Sequence, residues 1–272
     1  TPGTVTETSM LDEKKNNYLL AIYNDKSFFG LAFSDLTTGE FHTTQIIWGN
    51  TIKKLVDEIG KYSPSEIIVN ENLFNNISII NTIKSKFNVY ISAFDEMYFK
   101  YSNAVLMVES CFEDTNLVKS GKDLAISASG ALLTYIKQTQ KTDSLHIQNA
   151  HIYDIEEYMV LDISSRKNLE LTETMKDMKK KGSLLWVLDR TVTAMGGRTI
   201  RKWIEQPLVK IEDIQERLDA LSEMKDKYIS QTDLKELLKK VYDIERLCGK
   251  IIFGNVNCRD LVSLKNSIAQ IP

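Results

Sequence analysis

The apolar residues of this 272-residue chain change their spacing once along its length. Up to about residue 162, short alternating or fully apolar runs mix with stretches of helical spacing. Beyond residue 162 the strand pattern almost disappears, and apolar residues recur three or four positions apart. Because alternation favours strands and a spacing of three or four favours helices, the sequence predicts an α/β unit followed by an all-α unit.

The first unit begins with three strand-like runs, residues 18–23, 28–34 and 40–46. Two polar segments, residues 24–27 and 36–39, separate these runs and contain the Asn, Asp and Gly residues that turns prefer. The pattern therefore predicts a three-stranded antiparallel meander.

Helices and strands alternate after the meander. Apolar residues at helical spacing precede each of two short strand-like runs, residues 67–69 and 89–91, and Pro64 predicts the end of the first of these helices. A further helix is predicted over residues 124–138. Such alternation favours parallel strands. The meander followed by alternating helices and strands is the element order of an RNase H-like fold.

The second unit is predicted to be a bundle of five or more packed helices. Its apolar residues form five groups: Leu184, Leu185 and Leu188; Ile200, Trp203 and Ile204; Ile211, Ile214, Leu218 and Leu221; Leu234, Leu237, Leu238 and Val241; Ile244, Leu247 and Ile251. Two sequences, Gly196-Gly197 and Gln206-Pro207, are predicted to break helices, and Asp213 and Asp243 are predicted in first turns.

The domain boundary is predicted near residues 142–144. The predicted organisation is a linker at residues 1–16 that leads into the first domain, an α/β domain at 17–142 and a helical domain at 143–272. Charge supports two units, since residues 1–162 contain 13 Lys and Arg against 21 Asp and Glu, while the remainder contains 21 against 16. The mildly basic second half tolerates nearby nucleic acid without requiring it.

Composition excludes several classes of protein. With 43% hydrophobic and 26% charged residues, the chain is typical of a folded globular protein. Because no apolar run approaches the length of a membrane span and the N-terminus is polar, we expect no membrane segment, no signal peptide and a cytoplasmic protein. The chain begins without Met in a loop-like segment, Thr1-Pro2-Gly3-Thr4, and stops inside a predicted helix. We therefore expect a piece of a longer protein.

Residues for phosphate or metal chemistry are sparse. A phosphate-binding loop needs Gly-Lys-Ser/Thr after a Gly-rich turn, whereas Gly121-Lys122 and Gly249-Lys250 are followed by Asp and Ile. The histidines, His42, His146 and His151, and the cysteines, Cys111, Cys248 and Cys258, lack metal-binding spacing. We expect no active site, cofactor or metal in this chain.

An RNase H-like nuclease would hold two metal ions with clustered carboxylates, one of them in the first strand. That strand, residues 18–23, contains no acid. The nearest carboxylates, Asp25 and Asp35, suit turns. A metal-dependent nuclease that uses Asp25 or Asp35 is kept as an alternative function.

Two further sequences resemble DNA-contacting elements. The cluster of Lys179, Lys180 and Lys181, with Lys176 nearby, could bind phosphates or form a solvated loop. Phe94-Asp95-Glu96 matches a Phe-x-Glu pattern that can stack on a base, but a core aromatic that ends a strand and a helix-capping Asp95 explain it better. The basic second half leaves an autonomous DNA-binding module as another alternative.

Two long sequences resemble the core-domain signature of the MutS family. They are LDISSRKNLEL at residues 161–171 and GSLLWVLDRTVTAMGGR at residues 182–198, the second continuing through Trp203 and Pro207. Shorter matches extend the resemblance over essentially the whole chain: Thr1–Thr4, Asp35–Gly39, Pro64–Glu66 and Tyr135–Gln140.

The resemblance implies a fragment of a bacterial MutS-type DNA mismatch-repair protein. It would contain an RNase H-like connector domain without nuclease chemistry, followed by the first part of the helical core, or lever, domain. The mismatch-recognition domain with the family's own Phe-x-Glu wedge would lie outside this sequence. So would the clamp and the ATPase domain, which uses ATP and magnesium. In the family, connector and core relay state between mismatched duplex DNA and the ATPase.

The resemblance also implies that the connector offers a surface to the partner protein MutL. We place this surface at Asp95, Tyr98, Phe99 and Lys100, with a purely structural helix as the alternative. Because the family dimerises largely through its ATPase end, we expect this chain to be monomeric.

Overall fold

The computed structural model describes residues 1–5, 10–114, 116–141, 145, 147 and 149–271. The chain divides into two compact units. Unit 1 comprises Thr1–Leu11 and Asn16–Asp154, and unit 2 comprises Asp12–Lys15 and Ile155–Pro272. The predicted boundary at residues 142–144 lies outside the described residues.

Unit 1 contains a mixed sheet of six strands. The strands are β1 (Tyr18–Asp25), β2 (Phe28–Asp35), β3 (Glu40–Ile46), β4 (Glu66–Val69), β5 (Tyr90–Ala93) and β6 (His151–Ile152), in the order β5-β4-β1-β2-β3-β6. The pairs β1–β2 and β2–β3 are antiparallel, whereas β4, β5 and β6 run parallel to β1, β4 and β3. The predicted meander and the RNase H-like order are confirmed.

The helices of unit 1 are α1 (Thr51–Tyr62), α2 (Glu71–Phe74), α3 (Ile77–Lys86), α4 (Tyr101–Cys111), α5 (Asn116–Lys119) and α6 (Asp123–Gln140). Local chemistry fixes the ends of α1. The Asn50 side chain accepts a hydrogen bond from the Lys53 amide at its start, and Ser63 ends it in the left-handed conformation with φ 47°. Pro64 follows directly, so the predicted stop is confirmed.

The sheet of unit 1 is covered on both faces. On one face α6 packs so closely on β2 that a Cβ added to Gly30 would lie 1.8 Å from the carbonyl oxygen of Leu124. On the other face Phe33 of β2 stacks on Tyr62 of α1, with ring centroids 4.0 Å apart. Because successive strand residues point to opposite faces, Gly30 and Phe33 face different layers, and the core has two layers.

Unit 2 is helical beyond residue 162. Its helices are α7 (Ile163–Asn168), α8 (Leu184–Leu188), α9 (Ala194–Glu205), α10 (Ile211–Asp226), α11 (Tyr228–Leu238), α12 (Ile244–Ile252) and α13 (Cys258–Ile268). Side chains cap five of them at the N-terminus: Asp162, Ser183, Thr193, Asp243 and Asn257. The predicted bundle of helices is confirmed. None of the helices in the described part of the chain is both long and apolar enough to span a membrane.

The prediction that Gly196-Gly197 breaks a helix is wrong, because both glycines lie in the first turn of α9. Thr193 caps this turn by accepting a hydrogen bond from the Gly196 amide at 3.0 Å. A Cβ added to Gly197 would lie 2.6 Å from the Lys14 side chain. Gly197 is therefore explained by close packing and not by a turn. Gln206 ends α9 before Pro207, as predicted.

Candidate functional site

The predicted partner surface lies in the segment between β5 and α4. Asp95 accepts a hydrogen bond from the Met97 amide at 2.9 Å and so begins a single 3-10 turn over Glu96–Tyr98. Asn103 of α4 donates to the Met97 carbonyl oxygen at 2.8 Å. These bonds form a turn at the carboxyl end of the parallel strand β5, where α/β folds commonly present their binding residues.

Three of the four predicted partner residues have accessible side chains. Asp95 and Lys100 are exposed and Tyr98 is partly exposed. Phe99 is fully buried and stacks on Tyr23, with ring centroids 5.7 Å apart. Phe99 is therefore a core residue, and its inclusion among the surface residues is corrected.

Two neighbouring apolar side chains enlarge the exposed area. Met97 is 45% exposed and Tyr101 is 44% exposed. With Asp95, Tyr98 and Lys100 they form what we call the turn surface: a hydrogen-bonded turn with apolar side chains between an acid and a base. Aromatic and Met side chains beside charged groups are typical of protein interfaces.

The Phe94-x-Glu96 pattern belongs to the structure that supports the turn surface. Phe94 is partly buried and stacks on Tyr98, with ring centroids 4.9 Å apart. Glu96 accepts a hydrogen bond from the Asn70 side chain at 3.3 Å. The interpretation of Asp95 as a cap therefore agrees with its hydrogen bond, whereas Phe94 is a partly buried aromatic that contacts its neighbours and not a residue of the core.

The predicted lysine cluster does not act as one patch. Lys179 and Lys181 are exposed, as is Lys176. Lys180 instead donates to Asp189 at 2.5 Å. Of the three predicted phosphate contacts, Lys179 and Lys181 are therefore exposed, whereas Lys180 is engaged in this ion pair.

Asp189 is the centre of a polar network in unit 2, and its side chain is only 3% exposed. Both carboxylate oxygens lie 3.2 Å from the ammonium of Lys14, and the Thr191 hydroxyl donates at 2.6 Å. Burial raises the pKa of the Asp189 carboxyl, but hydrogen bonds from Lys180, Thr191 and Lys14 outweigh burial and hold the pKa well below its ordinary value.

Comparison with known proteins matches the two units to two models of one family. MutS domain II matches residues 17–148, and MutS domain III matches residues 164–272. The chain belongs to the MutS family. The resemblance inferred from the two signature sequences is thereby confirmed, with unit 1 containing domain II and unit 2 containing domain III.

Curated MutS relatives align along the whole chain. The chain is 56% identical to the DNA mismatch repair protein MutS of Acetivibrio thermocellus and to that of Ruminiclostridium cellulolyticum, and 46% identical to that of Alkaliphilus oremlandii. Each alignment includes all of this chain and 31% to 32% of the relative. The chain thus spans about a third of the length of these MutS relatives.

Asp25 and Asp35, the acids of the alternative nuclease function, are far apart in the MutS domain II sheet. Asp35 pairs with Tyr18 at one end of the β1–β2 ladder, and Asp25 pairs with Phe28 at the other. With a rise of about 3.4 Å per residue, the two carboxylates are separated by on the order of 20 Å. Asp35 accepts hydrogen bonds from Asn17 and Thr37. The two acids therefore do not form a shared metal site.

The two Gly-Lys pairs do not fit a nucleotide. Lys122 precedes α6 and donates to Asp154 at 2.6 Å, while Gly249-Lys250 lies inside α12, where Lys250 donates to Asp260 at 3.1 Å. A phosphate cradle needs a Gly-rich loop of free backbone amides, which an α-helix interior does not provide. Neither pair is therefore a phosphate site in this MutS-family chain.

His42 and His151 come together although they are distant in sequence. They are paired in register between β3 and β6, and their ring centroids lie 5.3 Å apart. His42 also lies 3.1 Å from Glu40. His146 lies outside the described residues. Within the described part of the chain, no group of three or more His, Cys, Asp or Glu could hold a metal ion.

The network around Asp189 predicts a specific pH dependence of stability. Because the folded-state pKa is depressed, the stabilisation is present above the ordinary carboxyl pKa of about 4 and is lost as the pH falls below it. Asp189→Asn should therefore lower the free energy of unfolding at pH 7 and flatten its decline between pH 5 and pH 3. Urea unfolding across this range measures both. An unchanged decline in the variant would contradict the role of Asp189.

Sequence reasoning missed the network because its members are far apart in the chain. Lys14 and Asp189 are 175 residues apart, and no spacing rule joins them. The local sequence Asp189-Arg190-Thr191 contained one signal, since an Asp commonly accepts hydrogen bonds from the residue two positions later.

Proposed function

We propose that this chain acts in DNA mismatch repair as the part of a MutS protein that connects mismatch recognition to ATP hydrolysis. The observation that carries the proposal is the match of both units, in order, to MutS domains II and III, together with relatives named DNA mismatch repair protein MutS. ATP, magnesium and the mismatched base pair would be bound by residues beyond the matched third. The place of action would be the bacterial cytoplasm, at the nucleoid.

The proposed role of the two units is non-catalytic. A relay requires structural elements with two conformations whose equilibrium both distant sites can shift. It requires no reactive group of its own. The separation of Asp25 from Asp35 supports a connector that keeps the RNase H-like order without nuclease chemistry. We expect the chain alone to be a monomer.

We propose further that the turn surface is the docking site for MutL. Support comes from the hydrogen bonds of Asp95 and Asn103, which form the turn before any partner binds. Support also comes from its composition, since Met97 and Tyr101 are nearly half exposed beside Asp95 and Lys100. A turn that is already formed, with apolar side chains at its centre and charged side chains around them, can bind a partner without the entropic cost of ordering a loop.

The test measures binding of this chain to the N-terminal domain of its cognate MutL at physiological salt. The variant combines Met97→Ser with Lys100→Glu, which removes an apolar contact and reverses one charge. We expect it to weaken binding by roughly tenfold or more, as for central interface residues. The matched control is Leu106→Ser, because Leu106 is 67% exposed on α4 outside the turn surface. Equal weakening by both variants, or by neither, would overturn the docking site.

The same experiment separates the relay from an autonomous DNA-binding module. Matched and mismatched duplexes are titrated with the chain and with the double variant Lys179→Ala, Lys181→Ala. The proposed function predicts no preference for the mismatch and at most weak, salt-dependent binding that the double variant reduces. Strong mismatch-selective binding by the chain alone, without MutL binding, would overturn the proposed function.

A further inference from the structure

The chain passes twice between the two units within a few residues. It leaves unit 1 after Leu11, belongs to unit 2 over Asp12–Lys15, and returns to unit 1 at Asn16. We call Asp12–Lys15 the tether. The only other passage between the units in this division is at Asp154 and Ile155. The tether is thus a second covalent connection, far in sequence from the first.

Two buried arginines hold the main chain of the tether. The Arg246 guanidinium donates to the carbonyl oxygens of Asp12 at 2.9 Å and of Lys15 at 2.8 Å. The Arg198 guanidinium donates to the carbonyl oxygen of Glu13 at 2.8 Å. The two arginine side chains are 3% and 4% exposed. Three of the four carbonyl oxygens of the tether therefore accept hydrogen bonds from these arginines. Such contacts bind the main chain and do not depend on the side chains of the tether.

The Lys14 side chain supplies the sequence-specific contact. Its ammonium reaches Asp189, the Thr191 carbonyl at 3.2 Å and the Thr191 hydroxyl at 3.1 Å. Its methylene groups lie against Gly197, where an added Cβ would be 2.6 Å away. This site therefore fits a turn that has a lysine at one position.

Two groups of the docking site, Arg198 and Asp189, are also held by contacts that do not involve the tether. Asp243 accepts two hydrogen bonds from Arg198, at 2.7 and 2.8 Å, and Glu245 accepts a third at 2.6 Å. Asp189 is held by Lys180 and Thr191. Removal of the tether would leave these pairs in place.

The tether itself is less buried than the side chains that bind it. None of its four residues is buried, and the Lys14 side chain is 37% exposed. When the segment leaves, water can hydrogen-bond to its carbonyl oxygens and to the Lys14 ammonium. Segments with few apolar contacts open at low free energy while the rest of a protein stays folded.

We infer that Asp12–Lys15 is a releasable tether, and that its docking through Lys14 restrains the motion of unit 1 relative to unit 2. When the tether is docked on unit 2, the chain connects the two units at two places, at the tether and at Asp154–Ile155. When it is released, the passage of the chain at Asp154–Ile155 still connects the units. This device goes beyond the proposed function and does not depend on MutL binding.

Two variants of the full chain release the tether by different means. Lys14→Met keeps the methylene stem and removes the ammonium, leaving Asp189 paired with Lys180. Gly197→Ala keeps every charge and displaces the Lys14 stem, while alanine favours the α9 helix that contains it. The matched control is Lys15→Met, since the Lys15 side chain does not bind Asp189 and its carbonyl contact is retained.

Hydrogen exchange measured by mass spectrometry reports release. We expect amides of residues 11–16 to exchange roughly tenfold faster in both variants, with α9 and α12 still protected and the control unchanged. The retained protection of the helices shows that the variants fold. Unchanged exchange of residues 11–16 in both variants would overturn the tether.

Single-molecule energy transfer reports the restraint. Dyes are placed at Tyr90→Cys in unit 1 and Tyr228→Cys in unit 2, which are 59% and 75% exposed, with the three native cysteines replaced by serine. We expect a broader distance distribution in Lys14→Met and Gly197→Ala than in Lys15→Met. Faster exchange without broadening would overturn the restraint.

Discussion

Gly30→Ala is expected to destabilise unit 1 by about 3 kcal/mol or more, at or above the upper end for overpacked cores. The new Cβ would lie 1.8 Å from the carbonyl oxygen of Leu124 and 3.0 Å from the amide nitrogen of Ala125. Both obstacles are backbone atoms, so no side-chain rotation relieves the clash. Helix α6 cannot withdraw without uncovering buried residues such as Ala128 and Leu132. Urea unfolding of the purified variant measures the loss.

The matched control for this prediction is Gly121→Ala. Nothing lies within 4 Å of a Cβ at Gly121, but its φ of 69° is left-handed. Its expected cost is about 1 kcal/mol, the conformational penalty alone. If Gly30→Ala lowers the free energy of unfolding no more than Gly121→Ala does, β2 and α6 do not pack as closely as described.

Arg198→Met is expected to destabilise unit 2 by about 3 kcal/mol, the lower end of the range for removing one partner of a buried ion pair. The guanidinium is 4% exposed and pairs with both oxygens of Asp243 and with Glu245. The lower end applies because Glu245 is 43% exposed and can be solvated when its partner is lost. Urea unfolding followed by the fluorescence of Trp203, which lies on α9, measures the change.

The comparison for Arg198→Met is Lys227→Met, which breaks an exposed pair between Lys227 and Glu223 on α10. Since water solvates both groups of that pair, little change in stability is expected. Equal effects of the two substitutions would mean that the Arg198 cluster contributes no more than a surface pair.

Much of the fold could be predicted because its signals are local. Alternating residues predicted β1 to β3, and polar turn residues predicted where these strands end. The same holds for α1, whose apolar spacing and Pro64 predicted both its existence and its end. These properties depend on neighbouring residues, so the sequence contains them without reference to the rest of the chain.

The candidate site was predicted less completely. Local sequence placed Asp95, Tyr98, Phe99 and Lys100 together, but could not show that Phe99 points into the core. Burial depends on Tyr23 of β1, which lies opposite only in the folded sheet. In the same way, Lys180 was predicted as a possible phosphate contact, and only the fold brings Asp189 to it.

What the sequence by itself determined is the order of the elements, the family and the change from α/β to helical structure. The tertiary structure alone decided which polar residues are buried and paired. Asp189, Arg198 and Arg246 bind residues 12–15 across more than 170 residues of chain. The Lys14 side chain occupies the space in which a larger residue at position 197 would place its Cβ. Local patterns encode helices and strands through neighbouring residues, whereas such contacts exist only after distant segments have packed.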